Sequence, residues 1–405
     1  MIQIYIVLFI SVGPVAQIFY SEGLGFTASN FMTLSVLLIL GSFSILAGPN
    51  LISKYGASSV INKGYFLRFF LVFLLLISLT VFQGEFLILS TIFLILLLSI
   101  LHHVAFTIGW FPLVRVIVHK SQLGAFFGET RRLAGMVKNT ISVIMVVLAI
   151  GGVSTFDFMT VFAIVGLLLL YSAFKMKKIF ATVSDAVIAE KLGSPPTIND
   201  YRNVVSAKQN RYFFGVVFSA KLFGIAMLPV FLVGHLDVSP AFVMSCFILF
   251  QSIGSLLAPT IGKLVDVRGP REVFRVVGLV NFVPVTLVIL ALSVVETVDT
   301  GHFEVLLISS IAIALQVFLF QMVTMAVAVV SFTFGEGTEA VARYCMTAFV
   351  TMGADFLKLF IGGVALITSD YFFGAGHAIS GFGTISILMV FVTYALNRYC
   401  VLRLE

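Results

Sequence analysis

Apolar runs close to or beyond ~20 residues recur along the whole chain, and that is the length an α-helix needs to cross a hydrocarbon layer about 30 Å thick. Twelve such stretches stand near 2–20, 30–48, 60–82, 86–113, 133–153, 157–175, 212–234, 240–261, 273–295, 304–331, 344–368 and 378–397. Their apolar residues run on without the alternation of a lipid-facing strand, so a β-barrel is excluded. A soluble fold with an oversized core fails too. Of 405 residues 60% are hydrophobic, 43 are Phe and only 10% are charged, with a mean hydropathy of +1.14. A soluble domain carries about a quarter charged residues to cover itself. The chain is expected to be an all-α membrane protein of twelve transmembrane helices. Met1 enters an apolar stretch with no basic region before it, which reads as a first span and not a cleavable signal. Cys246, Cys345 and Cys400 keep no metal-ligand spacing and read as buried free thiols.

The charges give the expected orientation. In a twelve-span arrangement all of the 24 Lys and Arg except Lys221 and Lys358 fall on one side, Arg68 among them as a residue just inside span three. The opposite loops hold only acidic residues, among them Glu22, Asp157, Asp237 and Asp370. By the positive-inside rule both termini and the polar stretch 176–210 are cytoplasmic. That stretch separates an N-terminal bundle, 1–175, from a C-terminal bundle, 211–405. The net charge of +6 is thus topological, and no folded basic domain exists to bind nucleic acid.

The halves repeat. Gly262-Lys-Leu-Val-Asp266-Val-Arg268-Gly269-Pro-Arg271 aligns on Pro49-Asn-Leu-Ile-Ser53-Lys-Tyr-Gly56 with Gly269 over Gly56 and Leu264 over Leu51. Nearly the same offset sets Arg343 over Arg132 and Gly362-Gly363 over Gly151-Gly152. With span count and central loop, residues 262–271 resemble the cytoplasmic loop signature of the major facilitator superfamily. Arg268 stands one position later than that family's basic residue, and the first copy has Pro49 and Ser53 in place of Gly and Asp. The resemblance implies two pseudo-symmetric six-helix bundles. It also implies a cytoplasmic gate of Gly262, Asp266, Arg268, Gly269 and Arg271, in which the carboxylate caps a neighbouring helix. Otherwise Gly262 and Gly269 make a tight turn beside a solvated Asp266.

Ionisable groups inside a bilayer are costly, so each is a site candidate. Asp355 and Lys358 share a face of span eleven, and Lys221 lies at mid-depth in span seven. Asp355 is the one carboxylate well inside a span, which makes it a proton-coupling candidate; a static pair with Lys358 or Lys221 satisfies the same physics. His102 and His103 adjoin in span four and diverge by about 100°. Gln17, Gln251, Gln316 and Gln321 add neutral polar groups, and His103 falls on Gln316 by the repeat offset. The resemblance implies that these line or flank a central cavity, and that Asn281 does not. No metal or cofactor site is expected, and no Walker loop or hydrolytic motif is present.

The expected function is secondary active transport of a small organic solute by alternating access, driven by protons, as a monomer in a bacterial plasma membrane. The cation Lys221 leans the substrate toward an anion or zwitterion. The rival is a membrane-embedded enzyme or assembly factor that uses the same fold without transport.

Overall fold

The computed structural model describes residues 14–109, 114, 118–149, 154–180, 193–222, 227–234, 236–269, 272–276, 302–333, 337–373 and 378–403. The first half of span one, most of span nine with Asn281, the Gly151-Gly152 pair and Arg271 lie outside the described residues. The described elements are helical. They are α1 (Pro14–Leu24), α2 (Ala28–Ser42), α3 (Ser44–Tyr55), α4 (Ala57–Val81) and α5 (Gly84–Leu101), followed by a π-helical segment (His102–Thr107). After these come α6 (Leu123–Ala149), α7 (Thr155–Phe180), α8 (Ile198–Ser206), α9 (Lys208–Leu222) and α10 (Leu228–Gly234). The chain closes with α11 (Pro240–Arg268), α12 (His302–Thr333), α13 (Thr338–Phe373) and α14 (Ala378–Leu402).

Helix is the form in which an apolar chain satisfies its backbone without water. Seven of the described helices are long and apolar enough to cross a bilayer, α2 and α3 counting as one, and the chain is an integral membrane protein. The faces of α4 show how the sequence is sorted. Ile61, Tyr65, Arg68, Val72, Leu75 and Leu79 recur at helical spacing and are buried, whereas Phe66, Phe70, Phe73 and Ile77 on the other face are exposed. A row of exposed Phe suits a lipid-facing surface. The helix starts are capped from the sequence: Thr27 accepts from Asn30 N at α2, and Ser239 accepts from Phe242 N ahead of Pro240 at α11.

Several boundaries differ from the sequence expectation. α6 begins at Leu123, well before position 133: Leu123 is buried, Asp266 accepts from the first-turn amides of Gly124 and Ala125, and Glu129 and Arg132 pair along the helix (2.5 Å) through the polar stretch. α13 likewise begins at Thr338, with Arg343 paired to Glu339. The segment around Asp266 is not a loop: Gly262, Asp266 and Arg268 occupy the last turns of α11, and the turn itself is made at Gly269. The polar stretch before residue 210 contains α8, opened by a reciprocal capping box between Thr197 and Asp200. Arg68 is not an end charge. It sits about 16 Å along α4, in its middle, and is fully buried.

The repeat is visible in the backbone. Gly56 ends α3 with φ 78° and ψ 147°, and Gly269 ends α11 with φ 79° and ψ 151°. Each donates its N–H to the carbonyl four residues back, Ile52 and Val265. Both therefore need the left-handed region that glycine enters without strain. α11 packs along α6, α13 along α2, and α4 along α7.

Candidate functional site

α9, α12 and α13 bring three side chains together. Lys221 Nζ lies 3.4 Å from Asp355 Oδ2 and 3.1 Å from Thr324 Oγ1. The pairing chosen is thus between helices, α9 to α13, although Lys358 stands one turn along from Asp355 on the same face. Lys358 and Arg131 of α6 are near enough for their charges to act on the pair. The two partners are buried unequally, with the Lys221 side chain 2% exposed and that of Asp355 27% exposed. At 3.4 Å the contact is longer than a well-formed charge-assisted hydrogen bond of about 2.8 Å. Asp355 Oδ1 is buried with no hydrogen-bond partner among the described residues. The carboxylate therefore has one weakly engaged oxygen and, among the described residues, one unengaged oxygen.

The histidines occupy a second place, on the N-terminal side. His102 Nδ1 is 2.7 Å from Arg68 Nη2, and both residues are buried. His103 turns to other neighbours: the backbone of Gly41 and the ring of Phe356 at 6.4 Å between centroids. Phe356 follows Asp355 on α13, so the two places adjoin through one helix. Arg68 is a member of this group that sequence reasoning does not supply. The available signal is its position, two turns beyond Ile61 and one beyond Tyr65, on the buried stripe of α4.

The glutamines are scattered. Gln321, buried on α12, shares a face with Thr324 one turn on and packs over Gly254 of α11. Gln17 of α1 is buried and Gln251 of α11 half-buried, each on a helix other than those that carry Lys221 and Asp355. Gln316 belongs to α12, but its side chain lies outside the described ones.

A third place is the α6–α11 crossing. Asp266 accepts from the backbone N–H groups of Gly124 (2.9 Å to Oδ1) and Ala125 (3.0 Å to Oδ2). These belong to the first turn of α6, where amides lack helical partners and the dipole favours an anion. Beneath this cap the helices touch backbone to backbone. A Cβ at Gly262 would stand 2.1 Å from the Gly124 carbonyl oxygen, and one at Gly128 would stand 2.7 Å from that of Ala258. Asn139 donates to Ser252 Oγ at 2.7 Å farther along. Gly269 forms the turn, and Arg268 is exposed. The spacing Gly124-xxx-Gly128 is a legible sign of close helix approach that the span and charge patterns do not use.

No protein-family model matches the sequence, and no curated protein matches it. Solved structures match its fold over nearly the full length. The nucleoside transporter NupG matches with a TM-score of 0.67 at 11% identity, covering 100% of this chain and 97% of that one. A bacterial homologue of the iron transporter ferroportin, in its outward-facing state, gives 0.60 at 11% identity, with 99% of each chain covered. The E. coli fucose:proton symporter FucP gives 0.54 at 12% identity, covering 98% and 97%. These are transporters of the major facilitator type, and this chain has their fold.

Proposed function

We propose that the chain is a secondary active transporter that moves a small organic solute by alternating access, with protons as the coupling ion and Asp355 as the coupling group. In this reading twelve spans form two bundles, 1–175 and 211–405, that rock about a central site. The stretch 176–210 and both termini face the cytoplasm, and the cap of Asp266 on α6 steadies the cytoplasmic side. The solved structures of similar fold support transport in general, and their differing substrates carry nothing over to this one.

The observation that carries the reading is the Lys221–Asp355 contact. A coupling carboxylate exchanges its partner as it gains and loses a proton. Among the described residues Asp355 is held on one side only, at 3.4 Å, with its second oxygen unengaged. Arg131, Lys221 and Lys358 outnumber it around the same point, which supports an anionic or zwitterionic solute.

Candidate anions and zwitterions are first ranked by thermal stabilisation of the purified protein, since a ligand stabilises the state it binds. In proteoliposomes with a pH gradient, Asp355→Asn is then expected to abolish accumulation of the selected solute and to spare its exchange at equal pH. The structure makes Lys221 the partner to neutralise with it. If Asp355→Asn with Lys221→Gln restores accumulation, Asp355 serves packing and the coupling assignment is overturned.

A further inference from the structure

Arg68 and His102 are not used by that reading, yet their geometry is restrictive. Every guanidinium nitrogen is a donor, so a contact of 2.7 Å requires a lone pair on His102 Nδ1. The ring proton then resides on Nε2, and the imidazole is neutral. A second proton, taken from water, can add only at Nδ1. Both partners would then be donors and both positive, and the hydrogen bond would give way to repulsion. The pair has two exclusive forms: Arg68 bonded to neutral His102, or protonated His102 with Arg68 displaced.

We propose that His102 is a proton-binding site, with Arg68 its positioning partner, and that protonation at Nδ1 loosens the π-helical segment from α13. This rests on the proton-coupled reading and adds to Asp355 a second proton-responsive group, in the N-terminal bundle.

Its place in the fold carries the inference. His102 opens the segment His102–Thr107, and both ends of that segment are fastened to α13. At one end the His103 ring faces Phe356. At the other, the Tyr344 hydroxyl donates to the Thr107 carbonyl at 2.8 Å. π segments inside α-helices are rare and concentrate at functional sites, because the inserted residue can be relocated and the helix re-registered. A displacement at His102 thus reaches the contact between the two halves of the chain, one residue from Asp355.

Among the described residues, the titratable groups around His102 come from a small set of elements. α4 presents Arg68 and Tyr65, and His103 adjoins on the segment itself. α13 presents Phe356, with Asp355 and Lys358 beyond it. The segment 28–42 of α2 has no titratable residue, α3 has Lys54 at its exposed end beside the Tyr55 ring, and α5 has Glu85 in its far first turn. Among the described residues Arg68 is the cation in direct contact, at the nitrogen where the proton would add.

The test uses the full-length protein in nanodiscs, with no solute and no gradient. Fluorescence of Trp110, the chain's one tryptophan, is followed from about pH 8 down to the lowest pH at which the protein stays folded, because Arg68 beside His102 opposes its protonation. One transition is expected in the parent protein. Arg68→Gln, which removes the adjacent cation, should raise its midpoint by about one pH unit or more, a tenfold gain in proton affinity. Arg68→Lys should leave the midpoint low. His102→Gln, whose amide oxygen still accepts from Arg68, should abolish the transition; if that variant fails to fold, the two Arg68 variants decide. A parent protein with no transition, a midpoint indifferent to Arg68→Gln, or a transition that survives His102→Gln each overturns the proposal. Asp355→Asn should keep the transition while losing accumulation. A titration that behaves as expected in a protein that accumulates nothing would sink the transport reading and leave the proton site standing.

Discussion

The α6–α11 crossing and the α3–α13 region occupy equivalent places in the repeat, since Gly269 matches Gly56 in sequence and in backbone angles, and they are held by opposite means. At the first, glycine faces backbone and an anion, Asp266, sits on the amides that open α6. At the second, Ser53 stands where the carboxylate would be, and the opening turn of α13 is met by the linker: Thr338 Oγ1 lies 2.8 Å from the Ser194 hydroxyl and donates to its carbonyl at 3.0 Å. Neutral tyrosines complete the second region, Tyr201 donating to the Leu46 carbonyl at 3.3 Å and Tyr344 to that of Thr107. Burial pushes the Tyr201 hydroxyl above its ordinary value, so it stays a neutral donor through the physiological range. One copy of the repeat uses charge and close contact; the other uses hydroxyls and a strap, α8, lent by the connecting chain. A duplicated fold can thus keep its geometry while its two locks diverge in chemistry, one sensitive to a single carboxylate and the other spread over several weak bonds.

The sharpest way to break this comparison is to add volume where backbones meet. Gly262→Val is expected to destabilise the protein by about 2 kcal/mol or more, because its first added carbon already overlaps the Gly124 carbonyl. Gly353→Ala, on α13 where a Cβ meets nothing, should be neutral or gain about 0.5 kcal/mol by favouring helix. Melting in detergent compares them. Equal losses would show that the backbone contact at Gly262 is no tighter than the open surface of α13 at Gly353.

Next in size is the anion. Asp266→Asn should weaken the cap by about 1 kcal/mol and shift the population toward an open crossing a few-fold. Spin labels at Ser121, just ahead of α6, and at Val267, near the end of α11, would report longer distances. Ser53→Asp should not build a matching lock, because Ser194 already meets α13. An unchanged distance distribution in Asp266→Asn would reduce that carboxylate to decoration of a turn.

The hydroxyl side should respond less. Tyr201→Phe removes one neutral hydrogen bond and leaves the ring in place, a loss of about 1 kcal/mol at most. Tyr344→Phe should behave alike. A larger loss than that of Asp266→Asn would reverse the ranking of the two locks.

How much of this the sequence discloses depends on how local each feature is. Helical class follows from apolar run length, and the paired turns follow from Gly56 and Gly269, which act through their own backbone. The start of α6 escapes because a charged stretch reads as loop until Glu129 and Arg132 are seen to pair along a helix. Around Asp266 the chain specifies its own turn, but which helix end the carboxylate meets depends on a segment far away in sequence. For Asp355 the face shared with Lys358 is legible, whereas the choice of Lys221 rests on how α9 crosses α13. Arg68 reads as an end charge because basic residues usually cluster at span ends. Only the depth of α4 and the facing ring of His102 give it an interior role.

The smallest expected effect separates the strap from what it holds. α8 is opened by Thr197 and Asp200, whose carboxylate accepts from the Thr197 hydroxyl and backbone N–H, both at 2.7 Å. Those bonds, the hydroxyl first and the amide second, hold the Asp200 carboxyl below its ordinary value. Because the folded value lies below the unfolded one, the contribution is fully present above the ordinary carboxylate range. It is lost as pH falls through the lowered folded value. Amide exchange across Ile198–Ser206, corrected for the intrinsic effect of pH, should therefore quicken in acid ahead of exchange in α6. Asp200→Asn should make α8 exchange faster at neutral pH and flatten this acid response. Since the Asp200 carboxylate is solvent-accessible, the effect should stay confined to α8 and leave the melting of the whole bundle in place. If Asp200→Asn loosens the α13 opening turn as well, the strap and the Ser194–Thr338 contact act as one unit, and the second lock is more cooperative than a set of separate hydroxyl bonds.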